Sequence, residues 1–221
     1  MDNKSNEWNL VYNKRQNFCF YPNEELVKFL NRYIKKKIGK NEYINILGDK
    51  IKCLDFGCGI GASTSLISEI GISCIGVDIS KVAIDYAKEL NPNCKFKVIN
   101  SENLIFDDKY FDFSISIHCL DSMDNSLTKK IMSELIRVTK KYIFITLIAS
   151  HELNDINFDG QVVVKTEHEK NTIQNYFTYE KIKNLVKKSD FKLKSCELII
   201  NQDLIQDKKN GRYYIIFERI N

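Results

Sequence analysis

Proline is nearly absent, with 2 in 221 residues, Pro22 and Pro92. That excludes a proline-rich linker or a polyproline ligand. Histidine is almost as scarce, with 3 in the chain: His118, His151 and His168. No two of them have the spacing of a metal pair, and "HELND" is not an HExxH helix, so no metal is expected. The 7 cysteines are an odd number and contain no CxxC, which argues against a zinc ribbon, a dithiol redox motif and a disulfide framework. Reduced thiols in a reducing cytosol fit that pattern. No apolar run reaches the roughly 18 residues of a membrane span. The polar opening "MDNKSNEWNL" is no signal peptide, so a cytoplasmic location is expected. No charge of one sign dominates either. The 33 basic and 29 acidic residues leave a net charge of +4, too little to call for a nucleic-acid partner. Nothing in the sequence speaks to oligomeric state.

What is present is ordinary soluble composition, 43% hydrophobic and 28% charged. The length suits one α/β domain with additions. "PNEELVKFLNRYIKKKI" (22–38) reads as a helix, with Asn23 as its cap and Leu26, Phe29, Leu30 and Ile34 on one face. From residue 51 strands and helices alternate. "KIKCLDF", "SCIGVDI", "KFKVIN", "FDFSISIHCL" and "KYIFITLIA" read as strands, and "GASTSLISEIG", "KVAIDYAKEL" and "SLTKKIMSELIRVTK" as helices between them. This rhythm predicts an α/β, doubly wound, mostly parallel sheet with helices on both faces. After residue 150 the rhythm breaks. A polar stretch (151–177) precedes a helix, "TYEKIKNLVKKS", and a terminal hairpin expected to turn near Asn210 and Gly211. The expected layout of the single domain is an N-terminal helical cap (1–45), a ligand-binding core (50–148), a cap or substrate insertion (151–177), and a last helix with hairpin (178–221).

Chemistry concentrates in "KCLDFGCGIGAST" (52–64). A buried strand ends in Asp55, and Gly57, Gly59 and Gly61 lead into a helix. Such a loop lets a ligand approach the main chain closely. The same residues satisfy G-x-G-x-x-[GA], and Asp78 ends the next strand, placed to accept from ribose hydroxyls. Dinucleotides and S-adenosylmethionine (SAM) both present that ribose, so Asp78 serves either. Asp55 favours the second, since an acid there would repel a pyrophosphate and suit a cationic ligand. The helix and some fifty residues ahead of the loop point the same way.

These residues resemble the class I SAM-dependent methyltransferases, the seven-stranded Rossmann-like family. D55-F-G57-C-G59-I-G61 matches their first motif, "GVDIS" their second, and "VINSENLIFDDKYFDFSISI" (98–117) their third and fourth. The resemblance implies a seven-stranded sheet with an antiparallel last strand. It also implies SAM as cofactor and S-adenosylhomocysteine as product. It sets Gly57, Cys58, Gly59 and Gly61 around the methionyl part, Asp55 facing the ammonium, Asp78 on ribose and Ile79 on adenine. Asn100, Ser101 and Glu102 border the adenine edge, where the family usually has an acid. His118, just past strand four, comes near the reactive methyl group as a catalytic candidate, with His168 as a second. Trp8, Tyr12, Tyr21, His151 and Tyr176 are the candidates for the acceptor site.

Position 118 onward reads "HCLD", without the proline-rich loop of enzymes that methylate nucleic-acid amines, and no double-glutamate loop is present. By elimination the expected acceptor is a small molecule, with a sugar or other metabolite hydroxyl in view. Two other functions stay open on the sequence: a nicotinamide oxidoreductase on a Rossmann fold, and a SAM-binding regulatory module without turnover.

Overall fold

A computed structural model describes residues 3–15, 18–99, 102–150, 158–166 and 169–220. Helix α1 (Asn3–Asn13) opens the chain and buries Val11. Helix α2 (Glu24–Phe29) follows, and the Asn23 side chain caps it by accepting from the Leu26 amide at 3.0 Å. The helix expected to reach residue 38 stops sooner. A wide helical turn, Leu30–Ile34, ends it, and Lys35–Lys37 become strand β1, paired antiparallel with β2 (Tyr43–Asn45). The apolar stripe explains the change. Leu26, Phe29, Leu30 and Ile34 are buried, while three successive lysines offer no apolar face to extend it. Lys35 instead donates to the Ile70 carbonyl at 2.7 Å.

The predicted alternation then appears: β3 (Lys52–Phe56), α3 (Ala62–Glu69), β4 (Ser73–Asp78), α4 (Lys81–Leu90), β5 (Lys95–Val98), β6 (Phe111–Ser116), α5 (Asn125–Val138) and β7 (Thr139–Ile148). Ser80 caps α4 by accepting from the Ala83 amide, and Asp124 caps α5 through the Leu127 amide. A short antiparallel pair follows, β8 (Gln161–Val163) and β9 (Ile173–Asn175). Helix α6 (Tyr179–Asn184) is shorter than its sequence pattern. Strands β10 (Phe191–Asp203) and β11 (Lys208–Arg219) close the sheet.

Seven strands lie in the order β10-β11-β7-β6-β3-β4-β5. β3 to β7 are parallel, and β11 is antiparallel to both its neighbours. One face is covered by α2 and α3, which pack Phe29 and Ile67 against Phe113 and Phe144. The other is covered by α5 and α6, with Ile131, Leu135 and Ile182 on Leu54, Ile143 and Phe217. The chain reverses its direction across the sheet between β3 and β6. Ligands of open α/β sheets bind at the strand ends beside such a reversal.

The terminal hairpin turns at residues 204–207, not at Asn210 and Gly211. Those two lie inside β11, opposite Asn201 and Ile200. Asp203 makes the turn instead: its Oδ1 accepts from the Ile205 and Gln206 amides at 2.8 and 2.9 Å.

Candidate active site

β3 ends at Phe56, and the glycine loop folds back beneath the end of β4. The amides of Gly57 and Cys58 both donate to the Val77 carbonyl, at 2.8 and 3.0 Å. Gly57 and Gly59 take left-handed φ values of 72° and 52°, which a side chain would strain. Space excludes a side chain as well. A Cβ on Gly57 would overlap the Cys119 thiol, and one on Gly59 would come within 2.6 Å of Tyr12 Oη. Gly61 faces away, against Phe96.

Asp78 is the polar centre of the loop. It is buried, and its Oδ2 accepts from the Gly59 amide at 2.9 Å while Oδ1 accepts from the Ser80 amide at 2.8 Å. Burial pushes its carboxyl pKa up, and those amides pull it back. Asp55 lies behind the loop. Its Oδ2 accepts from Thr64 Oγ1 of α3 at 2.6 Å, and burial raises its pKa to about 7, against the pull of the Thr64 hydroxyl.

Helix α1 covers this end of the sheet through polar anchors. Ser5 Oγ donates to the Ile79 carbonyl, and Asn9 Oδ1 accepts from Ser80 Oγ at 2.8 Å and the Val82 amide at 3.2 Å. Lys4 pairs with Asp124 at 2.9 Å. These contacts set the Tyr12 ring over Gly59. Its hydroxyl is held well above its ordinary pKa, first by burial and then by the charge of Asp78.

His118 follows β6 with a left-handed φ of 54°. Its amide donates to Thr146 Oγ1 of β7 at 2.9 Å. Burial lowers the imidazole pKa to about 4, the Arg212 cation adds to that, and Asp121 opposes it. The ring is therefore neutral near pH 7. Burial also pushes the neighbouring Cys119 thiol well up, so it is a thiol and not a thiolate.

One cavity joins these parts, with about 670 Å³ of empty space including its mouth. Of the residues expected from the sequence it brings together Trp8, Tyr12, Gly57, Asp78, Ile79 and His118. Others stand apart. Asp55 is behind the loop, Gly59 is covered by Tyr12, and Cys58 packs near Ile84 and Phe96. Glu102 is on the surface near Lys130, at 3.6 Å. Tyr21 is 89% exposed. Tyr176 is buried against Phe158. Asn100, Ser101, His151 and His168 lie outside the described residues. The cavity adds Lys4, Ile99, Ser122, Met123 and Leu127, which sequence reasoning did not assign to a site. Among the described residues no group of three His, Cys, Asp or Glu is set to hold a metal ion.

A family model for a methyltransferase domain matches residues 54–145, from β3 into β7. With the sheet order and the glycine loop, that match identifies residues 54–145 as a methyltransferase domain on the seven-stranded fold of SAM-dependent methyltransferases. Among curated methyltransferases the chain is 30% identical to a sterol 4-C-methyltransferase of Caenorhabditis elegans over 154 residues, 66% of this chain and 42% of that protein. It is also 30% identical to a ubiquinone biosynthesis O-methyltransferase of Pelagibacter ubique over 142 residues, 55% of this chain and 59% of that one. The chain thus spans about half the length of the curated relatives it matches. A solved SAM-dependent methyltransferase from Anabaena variabilis shares the fold. It superposes with a TM-score of 0.68 at 17% identity, over 99% of this chain and 96% of that chain. Among the described residues no helix is long and apolar enough to cross a membrane.

Proposed function

We propose that the chain binds SAM beside the glycine loop and passes its methyl group to a small, largely apolar acceptor. What supports this is a single cavity shared by Gly57, Asp78, Ile79 and His118 at the carboxyl ends of β3, β4 and β6. The residues present fit SAM. Each Asp78 oxygen accepts one amide and keeps a lone pair for a ribose hydroxyl. Ile79 and Ile99 offer apolar surface to an adenine ring. Gly57 brings its main chain to the cavity wall beside the Cys119 thiol, where a methionyl group would lie. Asp55 supports the loop from behind through Thr64.

SAM, when bound, supplies a methyl group on a cationic sulfur that departs as the neutral thioether of S-adenosylhomocysteine. The departing group needs no acid, so the chain's own share is alignment and exclusion of water. Trp8 and Tyr12 supply the cover from α1. His118 stays neutral, so it neither repels a sulfonium nor ties up its lone pair. With its pKa lowered it is a weak base, suited to accepting a hydrogen bond from an acceptor hydroxyl. Trp8, Met123 and Leu127 form most of the remaining wall, with Lys4 and Ser122 as its polar points. Such a wall suits an apolar ring system better than a bare sugar. The sterol and ubiquinone relatives agree with an acceptor of that kind, one acting at carbon and the other at oxygen.

Thermal unfolding with SAM, S-adenosylhomocysteine and NADH tests the cofactor. A ligand at 100 times its dissociation constant adds about 2.7 kcal/mol, which at this size raises the midpoint by roughly 5–10 °C. The two SAM ligands should give that rise in the wild type and lose it in Asp78→Asn. A rise with NADH alone would overturn the reading. Transfer is then followed with methyl-labelled SAM and a panel of sterols, quinols and sugars. Labelling of sugars alone would refute the apolar acceptor.

A further inference from the structure

Past the end of β6 the chain does something costly. His118, a residue with a Cβ, sits in the left-handed region at φ 54°, a conformation that persists only where its surroundings fix it. Three residues on, Asp121 is 2% exposed, a carboxylate taken almost wholly out of water. Its Oδ2 accepts twice, from the Ile148 amide of β7 at 2.9 Å and from Arg212 Nη1 of β11 at 2.6 Å. Arg212 stands opposite Ile148 where β11 meets β7. A single buried oxygen therefore ties the turn after β6 to the two neighbouring strands. The Thr128 hydroxyl of α5 adds a bond to the Leu120 carbonyl of the same turn at 3.1 Å.

We propose that Asp121 and Arg212 are positioning residues for His118. They clamp the turn that carries it, and Arg212 places a fixed positive charge near its ring. The proposal deepens the reading of His118 as the group beside the transferred methyl, and rests on that reading only for its catalytic consequence. Asp121 is buried while the Arg212 side chain is 26% exposed, so the carboxylate carries a desolvation cost that its bonds to Arg212 and the Ile148 amide offset. The charge has a use here. Arg212 disfavours protonation of the imidazole, so its lone pair stays available and no second cation faces the sulfonium. The charged groups that bear on the ring are Arg212 from β11 and Asp121 from the turn. Lys4 and Tyr12 of α1, Asp78 of β4 and Cys119 line the same cavity. The direction is consistent: burial and Arg212 lower the His118 pKa, and Asp121 raises it less.

The test reads the ring itself. Histidine ring signals are followed by NMR in the whole chain without ligand, with His118→Asn to assign the resonance, as pH falls from about 8 to about 5. His118 should stay unprotonated across that range in the wild type. In Arg212→Gln its midpoint should rise toward the ordinary value, about 6.5, while Arg212→Lys, which keeps the charge, should hold it low. Arg137→Gln is the control. It breaks the bonds of Arg137 to Glu134 and Asp108, and so lowers stability elsewhere without moving His118. A wild-type His118 titrating near 6.5 overturns the proposal. So does a resonance unmoved by Arg212→Gln, or one moved equally by Arg137→Gln. None of these readings involves SAM. If SAM fails to bind, the cofactor reading falls and the clamp stands. If SAM binds while His118 titrates normally, the clamp falls and the cofactor reading stands.

Discussion

At Gly59 the backbone is left-handed and the Cβ position is taken by the Tyr12 hydroxyl, so Gly59→Ala suffers twice. The strain costs about 1–3 kcal/mol, and Tyr12 must move off the loop. The expected outcome is a lower denaturant midpoint together with loss of the SAM-induced thermal shift. Asp55 gives a prediction in pH. Its native pKa is raised to about 7 by burial, above the unfolded value of about 3.9. Between those values the native state holds the extra proton, so this group's contribution to stability falls as pH rises through the window. Asp55→Asn removes that slope. Its thermal midpoint should gain on the wild type between pH 5 and pH 8, and a constant difference would refute the assignment. The motif residues were legible because glycine and aspartate at strand ends have few other uses. Ile99, Met123 and Leu127 were not, since an apolar residue facing a cavity has the same sequence signature as one facing the core. Trp8 and Tyr12 were separable from Tyr21 in principle. They are four apart and share one helix face, while Tyr21 lies beyond the end of α1 and points into solvent.

Among the elements, α1 is held by side chains more than by apolar contact. Asn9 alone accepts two hydrogen bonds from the start of α4. Asn9→Ala is expected to cost about 1–2 kcal/mol, and chiefly to free α1. Amide exchange should quicken across Asn3–Asn13 with β3 to β7 still protected, and SAM should dissociate faster. Unchanged exchange in α1 would show that other contacts hold it. Two elements departed from their sequence patterns for nameable reasons. The helix from residue 22 lost its last turn because Lys35, Lys36 and Lys37 have no apolar surface to rest on. The hairpin ignored its Asn-Gly pair because β7 dictates the register. Arg212 to Glu218 pair with Ile148 to Tyr142, and the Gly211 carbonyl accepts from the Ala149 amide at 2.9 Å. Gly211 is thereby drawn into the strand, and Asp203 closes the turn farther out.

For the whole molecule, the parallel order of β3 to β7 was legible because strands covered on both faces read as near-continuous apolar runs. The position of β11 was supplied only by the family resemblance, because a sequence pattern marks strands and not their neighbours. β11 buries Ile215 and Phe217 completely. Phe217→Ala is expected to cost about 3–5 kcal/mol, measured by denaturant unfolding, and a loss below about 1 kcal/mol would mean that this strand is poorly packed.

The order β10-β11-β7 also has a consequence in time. A chain leaves the ribosome in sequence order, so β10 emerges before the strand that must sit between it and the sheet. Until β11 follows, β10 has no place to dock and β7 shows a bare, mostly apolar edge. The ribosome thus holds a sheet with an open seam, and a premature stop in the turn at 204–207 would leave that seam open for good. Such a product would lose two strands for the price of one and carry an edge free to pair with its own copies.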